Sequence, residues 1–305
     1  MKEWIIDTDA GIDDAQALVL ALNSPNFAVH AISTVSGNAH EDFVYSNVSQ
    51  VLEVCNKQHI PIYRGCSRPI LGSHIDAGYF HGKTGFGDYW DSGRVPPDRN
   101  DPQEYAPSMI ARLGCGELNI ICLGPLTNLA IAYLMNPKLE FNQVVVMGGT
   151  RDCEGNVQPT AEYNFYADPE AAAIVFKRAK HIVLVPWETT ADLEVREGEF
   201  LERWLSPSPC GEFLRELTQY VIRREGATYL CDPMAVAVAI DESIIAESEE
   251  VHVKIETQGK WGRGQCILFR NKWGILKERR KHVKVVRKVH PERFHDLLVQ
   301  STSNY

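Results

Sequence analysis

The chain predicts a single α/β domain built on an open, mainly parallel but mixed sheet of Rossmann-like form, with helices on both faces. Three observations carry this. Short apolar runs of strand length alternate with amphipathic segments of helix length. Several runs are nearly continuous in Val, Ile and Leu rather than alternating, as strands buried on both faces read. Clusters of Asp, Asn, Gly and Thr follow directly on the runs, where open α/β sheets place their ligands.

Taken in order, WIID (4–7) is the first strand and 13–22 the first helix. AVHAISTV (28–35) is the second strand, 41–56 a helix, and PIYRG (61–65), bounded by Pro and Gly, a third strand. Segment 70–103 is long, aperiodic and rich in Gly, Asp and Pro, and reads as an active-site flap because such loops in compact domains tend to be lids or binding loops. A helix at 102–112 leads to LNIICLG (118–124), a helix at 127–135, QVVVMGG (143–149), a helix at 169–180 and HIVLVPW (181–187). Helices then dominate, at 197–205, 209–225 and 232–241, with 191–245 forming a helical part of the same domain. Strands return at 250–256, 265–270 and 282–289, and a helix at 291–300 follows Pro291. No linker-like tract divides the 305 residues, so one domain spans 1–305.

A formal charge of −9, from 31 basic and 40 acidic residues, excludes a general nucleic-acid-binding surface. The basic run KERRKHVKVVRK (277–288) reads as a half-exposed strand around Val283, Val285 and Val286. No apolar stretch reaches membrane-spanning length and no basic leader opens the sequence, so a cytoplasmic protein is expected. The 8 cysteines are widely spaced without a CxxC pair, which points to reduced, mostly buried thiols.

The most informative stretch is DTDAGIDD, in which Asp7, Asp9, Asp13 and Asp14 crowd a strand–helix junction. Their mutual repulsion is relieved by a hard divalent cation, Ca2+ or Mg2+, which takes carboxylate oxygens as ligands. The clusters SGN (36–38), LGPLTN (123–128) and MGGT (147–150) should converge with it on one crevice.

These motifs together resemble the inosine-uridine preferring nucleoside hydrolase family. The form DxDxGxDDA is matched by Asp7 to Ala15, followed in order by SGN ending at Asn38, GPLTN (124–128), AEYNFYADPEAA (161–172) and Asp232–Pro233; GRGQ (262–265) and PERFHDLL (291–298) also match. The resemblance implies the nucleoside hydrolase fold and Ca2+-dependent cleavage of the N-glycosidic bond of purine or pyrimidine ribonucleosides, in nucleoside salvage, by a homodimer or homotetramer. It implies Ca2+ ligands at Asp9, Asp14, the Leu123 carbonyl and Asp232, with Asp9 as the base that activates water and Asp7 supporting the ligands from behind. Asp13, Asn38, Asn156, Glu162 and Asn164 are implied at the ribose, and His81, Met147, Phe165 and Gln219 near the base.

One departure stands out. Where the better-known branch carries a histidine proton donor before the second-domain aspartate, this chain has Cys231, as another branch does. A tyrosine that some members place one helical turn after Gln219 is replaced by Arg223. Cys231 and the flap residue His81 are then the candidate leaving-group donors. Two other readings stay open: a catalytically weak ribose- or nucleoside-binding member of the same fold, and a haloacid dehalogenase-type phosphatase. The phosphatase also opens on a strand-terminal DxD, but its later lysine and acidic pair cannot be placed here.

Overall fold

The computed structural model describes residues 2–114, 116–205, 207–270 and 283–303. Its strands are β1 (Lys2–Thr8), β2 (Phe27–Thr34), β3 (Ile62–Tyr63), β4 (Asn119–Cys122), β5 (Gln143–Met147), β6 (Ile182–Val185), β7 (Glu194–Val195), β8 (Thr228–Tyr229), β9 (Ile245–Ile255), β10 (Cys266–Phe269) and β11 (Val283–Val289). The helices are α1 (Ile12–Asn23), α2 (Glu41–Val54), α3 (Gly78–His81), α4 (Ala106–Leu113), α5 (Thr127–Met135), α6 (Tyr163–Ala167), α7 (Pro169–Arg178), α8 (Trp187–Ala191), α9 (Glu199–Trp204), α10 (Pro209–Glu225), α11 (Cys231–Ile240) and α12 (Pro291–Ser303).

Nine strands form one sheet in the order β10-β9-β11-β6-β5-β4-β1-β2-β3. Pairing is parallel from β3 to β11, and β9 and β10 add an antiparallel edge. The two faces bury separate cores, which is why β1 shows no polar alternation: Trp4 and Ile6 enter one core with α1, α2, α10, α11 and α12, while Ile5 enters the other with α4, α5 and α7. From β1 the chain steps outward through β2 and β3, then returns to the other side of β1 at β4. The carboxyl ends of β1 and β4 therefore flank the point where strand order reverses, the place where such sheets open a crevice.

The mainly parallel sheet and its flanking helices are as the sequence predicts, and the differences have physical causes. The short helices α3, α6 and α8 and the two-stranded antiparallel β7–β8 sheet were not foreseen, because runs of two to five residues cannot display a period. The strand expected over 181–187 stops at Val185, and Pro186 precedes a helix that begins at Trp187; a proline has no N–H to give a ladder. In the other direction, β9 starts at Ile245, before the expected 250, because its acidic residues are matched by cations on its neighbour. Glu247 pairs with Lys288 at 2.9 Å and Glu249 with Arg287 at 2.5 Å. That pairing also uses much of the basic run; its residues 277–282 lie outside the described residues, while Val283, Val285 and Val286 are buried in β11.

Segment 70–103 is more ordered than its composition implies. Phe86 is buried against Phe213 of α10, Trp90 Nε1 donates to Asn47 Oδ1 at 2.7 Å, and Arg94 pairs with Glu216. Gly87, at φ +60°, lets the segment lie on the Tyr220 ring, where a Cβ would come within 2.5 Å of ring carbon. Among the described residues every cysteine is a free thiol, and no helix is long and apolar enough to cross a membrane.

Candidate active site

The site begins where β1 ends. Its last residues and the turn behind it place Asp7, Asp9 and Asp14 in full burial. Ala10 between them takes φ +33°, a costly conformation for a residue with a Cβ; Asn47 holds it by donating to the Ala10 carbonyl at 2.9 Å. Asp14 caps α1: its Oδ2 accepts from the Gly11 N–H at 2.8 Å and its Oδ1 from the Thr8 hydroxyl. Helix α11, which begins at Cys231 and Asp232, is apolar on every side and buried against α1. Packing two helices with their starts at one place brings residues 13, 14 and 232 together.

Carboxylate oxygens of Asp13, Asp14 and Asp232 all lie within 4.8 Å of one another, a grouping that can hold a metal ion. Burial first, then the neighbouring carboxylates, pushes Asp9, Asp13 and Asp232 well above the usual carboxylate range. Asp9 Oδ1 and Asp13 Oδ1 are buried without a hydrogen-bond partner. Orphaned anionic oxygens in a buried site are costly, and a hard cation is the group that removes the cost. The donor set therefore suits a divalent metal.

The clustered triad contains Asp13, where the sequence placed Asp9 with Asp14 and Asp232. The turn after β2 ties Asp9 to this group: Asn38 donates its N–H to Asp9 Oδ2 at 2.7 Å and its Nδ2 to Asp14 Oδ2 at 3.0 Å. Asp9 is boxed by backbone, since a Cβ on Gly37 would come within 2.1 Å of Asp9 Oδ2 and one on Gly124 within 2.7 Å of Asp9 Cγ. That is why SGN and GPLTN carry glycine there. Asp7 sits behind and braces the scaffold: Ser33 and Asn128 donate to its Oδ1, and burial raises it to about 7. Its hydrogen bonds tie β1 to β2 and α5, and none reaches the carboxylates it was expected to orient.

In front of the carboxylates lies a cavity of about 380 Å³, within the usual range for small-molecule sites. Asp13, Asn38, His81, Leu123, Met147, Asn156, Glu162, Asn164, Cys231 and Asp232 all face it, so residues drawn from across the chain converge as expected. Glu162 caps α6, accepting N–H groups of Gly149, Asn164 and Phe165, and burial raises it to about 7. Asn164 Nδ2 donates to the Leu123 carbonyl at 2.7 Å and Asn156 Oδ1 accepts from the Tyr163 N–H at 2.9 Å.

Asp9 and Asp14 lie behind the lining residues, fully buried, and Gln219 and Phe165 also stand outside the lining. Gln219 does not line the cavity; it lies on α10 with its Oε1 accepting from Arg223 Nη2 at 3.2 Å. Phe165 is buried under Gly148 and Gly149 and stacks edge-on against Phe176, so it supports the floor. His81 Nδ1 accepts from the Ile12 N–H at 3.1 Å, which leaves the ring proton on Nε2, 3.8 Å from Asp13 Oδ1. Burial lowers its pKa to about 3, so it faces the cavity as a neutral imidazole. Cys231 Sγ lies 3.3 Å from the Thr190 hydroxyl, and burial first, then Asp13, pushes the thiol well above its usual range.

The structure also adds Tyr163, whose hydroxyl donates to the Gly37 carbonyl at 2.7 Å, and the cavity-lining Tyr79, Phe80, Trp187, Glu225 and Tyr229. Trp187 and Tyr229 carry no sequence mark that separates an aromatic ring at a short strand or strand end from core packing, whereas Tyr163 lies inside AEYNFYADPEAA and Phe80 inside the expected flap.

Comparison with known proteins agrees with this geometry. A model of the inosine-uridine preferring nucleoside hydrolase family matches residues 4–296. The chain is 33% identical over 287 residues to a protein named probable uridine nucleosidase 2 from Arabidopsis thaliana, covering 88% of this chain and 86% of that one. It superposes on a plant nucleoside hydrolase with TM-score 0.89 at 31% identity, covering 99% of each chain. An inosine-guanosine nucleoside hydrolase also gives TM-score 0.89, at 29% identity over 99% of this chain and 98% of that one. Sequence, fold and converging carboxylates thus lead to one conclusion: the chain belongs to the inosine-uridine preferring nucleoside hydrolase family and is an enzyme that hydrolyses N-glycosidic bonds.

Proposed function

We propose that the protein hydrolyses purine and pyrimidine ribonucleosides to free base and ribose, with one Ca2+ held by Asp9, Asp14, Asp232 and the Leu123 carbonyl. The observation that carries the reading is the pair of buried, unpartnered oxygens, Asp9 Oδ1 and Asp13 Oδ1, beside the clustered carboxylates of Asp14 and Asp232 at a ligand-sized cavity. Three carboxylates and one carbonyl are the oxygen donors a hard, geometrically tolerant cation takes. When bound, the ion offsets the carboxylate charge and supplies an electrophilic centre for sugar hydroxyls and water.

The chain's own residues do the rest. Asp9, fixed by the Asn38 N–H on one oxygen and without a hydrogen-bond partner on the other, takes the proton of the attacking water. Asp13, Asn38, Asn156, Glu162 and Asn164 grip the ribose; their polar groups suit a polyhydroxylated ring, and orientation of the sugar lowers the barrier to a cationic, oxocarbenium-like transition state. Met147 packs its sulfur 3.5 Å from Asn164 Nδ2 and gives the cavity an apolar contact. Cys231 is the candidate donor to the leaving base, with the His81 Nε2–H as a second polar contact. The relatives' names speak of uridine as well as inosine and guanosine, which supports ribonucleosides of both kinds as the substrate class. The same proposal places the enzyme in cytoplasmic nucleoside salvage as a homodimer or homotetramer.

The test is direct. Purified protein is incubated with inosine, uridine and 2′-deoxyuridine, and free base and reducing sugar are measured before and after chelator treatment and Ca2+ addition. Hydrolysis of the ribosides, loss on chelation, recovery with Ca2+, and poor cleavage of the deoxy compound are expected. Asp9→Asn should lower kcat by about 10²- to 10⁴-fold. Unchanged turnover in metal-free protein overturns the cation reading.

A further inference from the structure

Most polar residues of the cavity are assigned above to sugar, metal or leaving-group protonation, but part of its wall is aromatic and serves none of these. Trp187, at the start of α8, and Tyr229, in β8, both line the cavity and are half-buried, packed at their backs against the main core. Their rings meet near edge-to-face, with centroids 5.1 Å apart and planes at 63°, so each fixes the other's orientation. Backbone bonds fix both further: the Trp187 N–H donates to the Gly149 carbonyl at 3.0 Å, and Tyr229 pairs with Glu194 in the two-stranded β7–β8 sheet. One turn along α8, the Thr190 hydroxyl lies against Cys231 Sγ at 3.3 Å. The aromatic pair is thus built into the same block as the candidate leaving-group donor.

We propose that Trp187 and Tyr229 form the wall against which the leaving base stacks, and that this wall makes bicyclic purine bases bind more strongly than monocyclic pyrimidines. The inference rests on the ribonucleoside reading above. A ribose whose hydroxyls are taken up by Asp13, Asn38, Glu162 and Asn164 leaves the heterocycle as the remaining part to be recognised, and every base offers a π-face. Rings held rigid before binding lose little conformational freedom on stacking, and edge-to-face geometry leaves one ring face open to a ligand. A purine covers more aromatic surface than a pyrimidine, so its share of the stacking energy is larger.

The experiment compares wild type with Trp187→Leu, Trp187→Phe and Tyr229→Leu on inosine and uridine. The readout is kcat/KM, or the competitive inhibition constant for a nucleoside that binds without turnover; inhibition by free ribose reports on the sugar site. Trp187→Leu should weaken inosine by about 5- to 150-fold, chiefly in KM, and uridine at least about threefold less, with ribose inhibition unchanged. Trp187→Phe should recover most of the loss. Tyr229→Leu carries the same expectation and decides the matter if Trp187→Leu does not fold. Equal losses on both nucleosides, no loss, or a parallel loss of ribose inhibition overturns the aromatic wall. A wild-type protein that neither cleaves nor binds any ribonucleoside fails the underlying reading instead.

Discussion

Replacing Asp232 with Asn should make the metal-free protein more stable while abolishing its catalysis. Asp232 is 2% exposed, and its carboxylate lies within 4.8 Å of those of Asp13 and Asp14. Two unit charges at that distance, with an effective dielectric of about 20, repel by about 3 kcal/mol. Proton uptake by the cluster relieves part of this, so an isosteric amide should recover about 1 to 2 kcal/mol, or about 1.5 to 3 °C in Tm for a chain of this length. Addition of Ca2+ should reverse the order: at about 100-fold over its Kd it stabilises the wild type by about 2.7 kcal/mol and leaves Asp232→Asn nearly unmoved. Calorimetry in chelator and in Ca2+ reads both effects, and riboside hydrolysis by the variant should fall more than about 100-fold, beyond the loss typical of residues that only support a ligand. A metal-free Asp232→Asn protein that melts below wild type, or equal Ca2+ shifts in both proteins, would refute the claim that repulsion among these carboxylates is held in place for a cation.

Three other outcomes are expected. If Cys231 is the leaving-group donor, Cys231→Ala slows inosine and uridine far more than p-nitrophenyl riboside, whose leaving group departs as a stable anion; equal slowing marks the thiol as structural. Glu188, 7% exposed, accepts the N–H groups of Arg151, Asp152 and Glu154 at 2.8, 2.9 and 3.2 Å and so holds the loop that carries Asn156 to the cavity. Glu188→Ala should cost about 1 to 3 kcal/mol in urea denaturation and raise KM for nucleosides more than it lowers kcat. Burial raises Asp101, but Arg99, the Ile62 N–H and Tyr45 outweigh it and hold its pKa below the usual value of 3.8. A depressed carboxyl contributes stability above its unfolded pKa and loses it as pH falls through the folded one. Arg99→Met should therefore narrow the stability difference between pH 7 and acid, and an unchanged pH dependence contradicts this.

What the sequence determined by itself was what lies close along the chain or follows from period and composition. Continuous apolar runs such as QVVVM and NIIC already imply strands covered on both faces, and four carboxylates within the eight residues of DTDAGIDD already point to a site that suits a hard cation. The glycines of SGN and GPLTN were legible as motif, though their reason, room for Asp9, is tertiary. Only the folded chain decided which carboxylates meet: packing α1 on α11 brings Asp232 to Asp13 and Asp14 across more than 200 residues, and Asn38 bonds both Asp9 and Asp14. It also leaves Gln219 outside the cavity lining, on α10 with its Oε1 accepting from Arg223. Trp187 and Tyr229, separated by 42 residues, carry no local mark of a shared role. Their meeting depends on where β6 ends and where β8 pairs with β7, and a few residues at strand ends have no period from which a sequence could announce it.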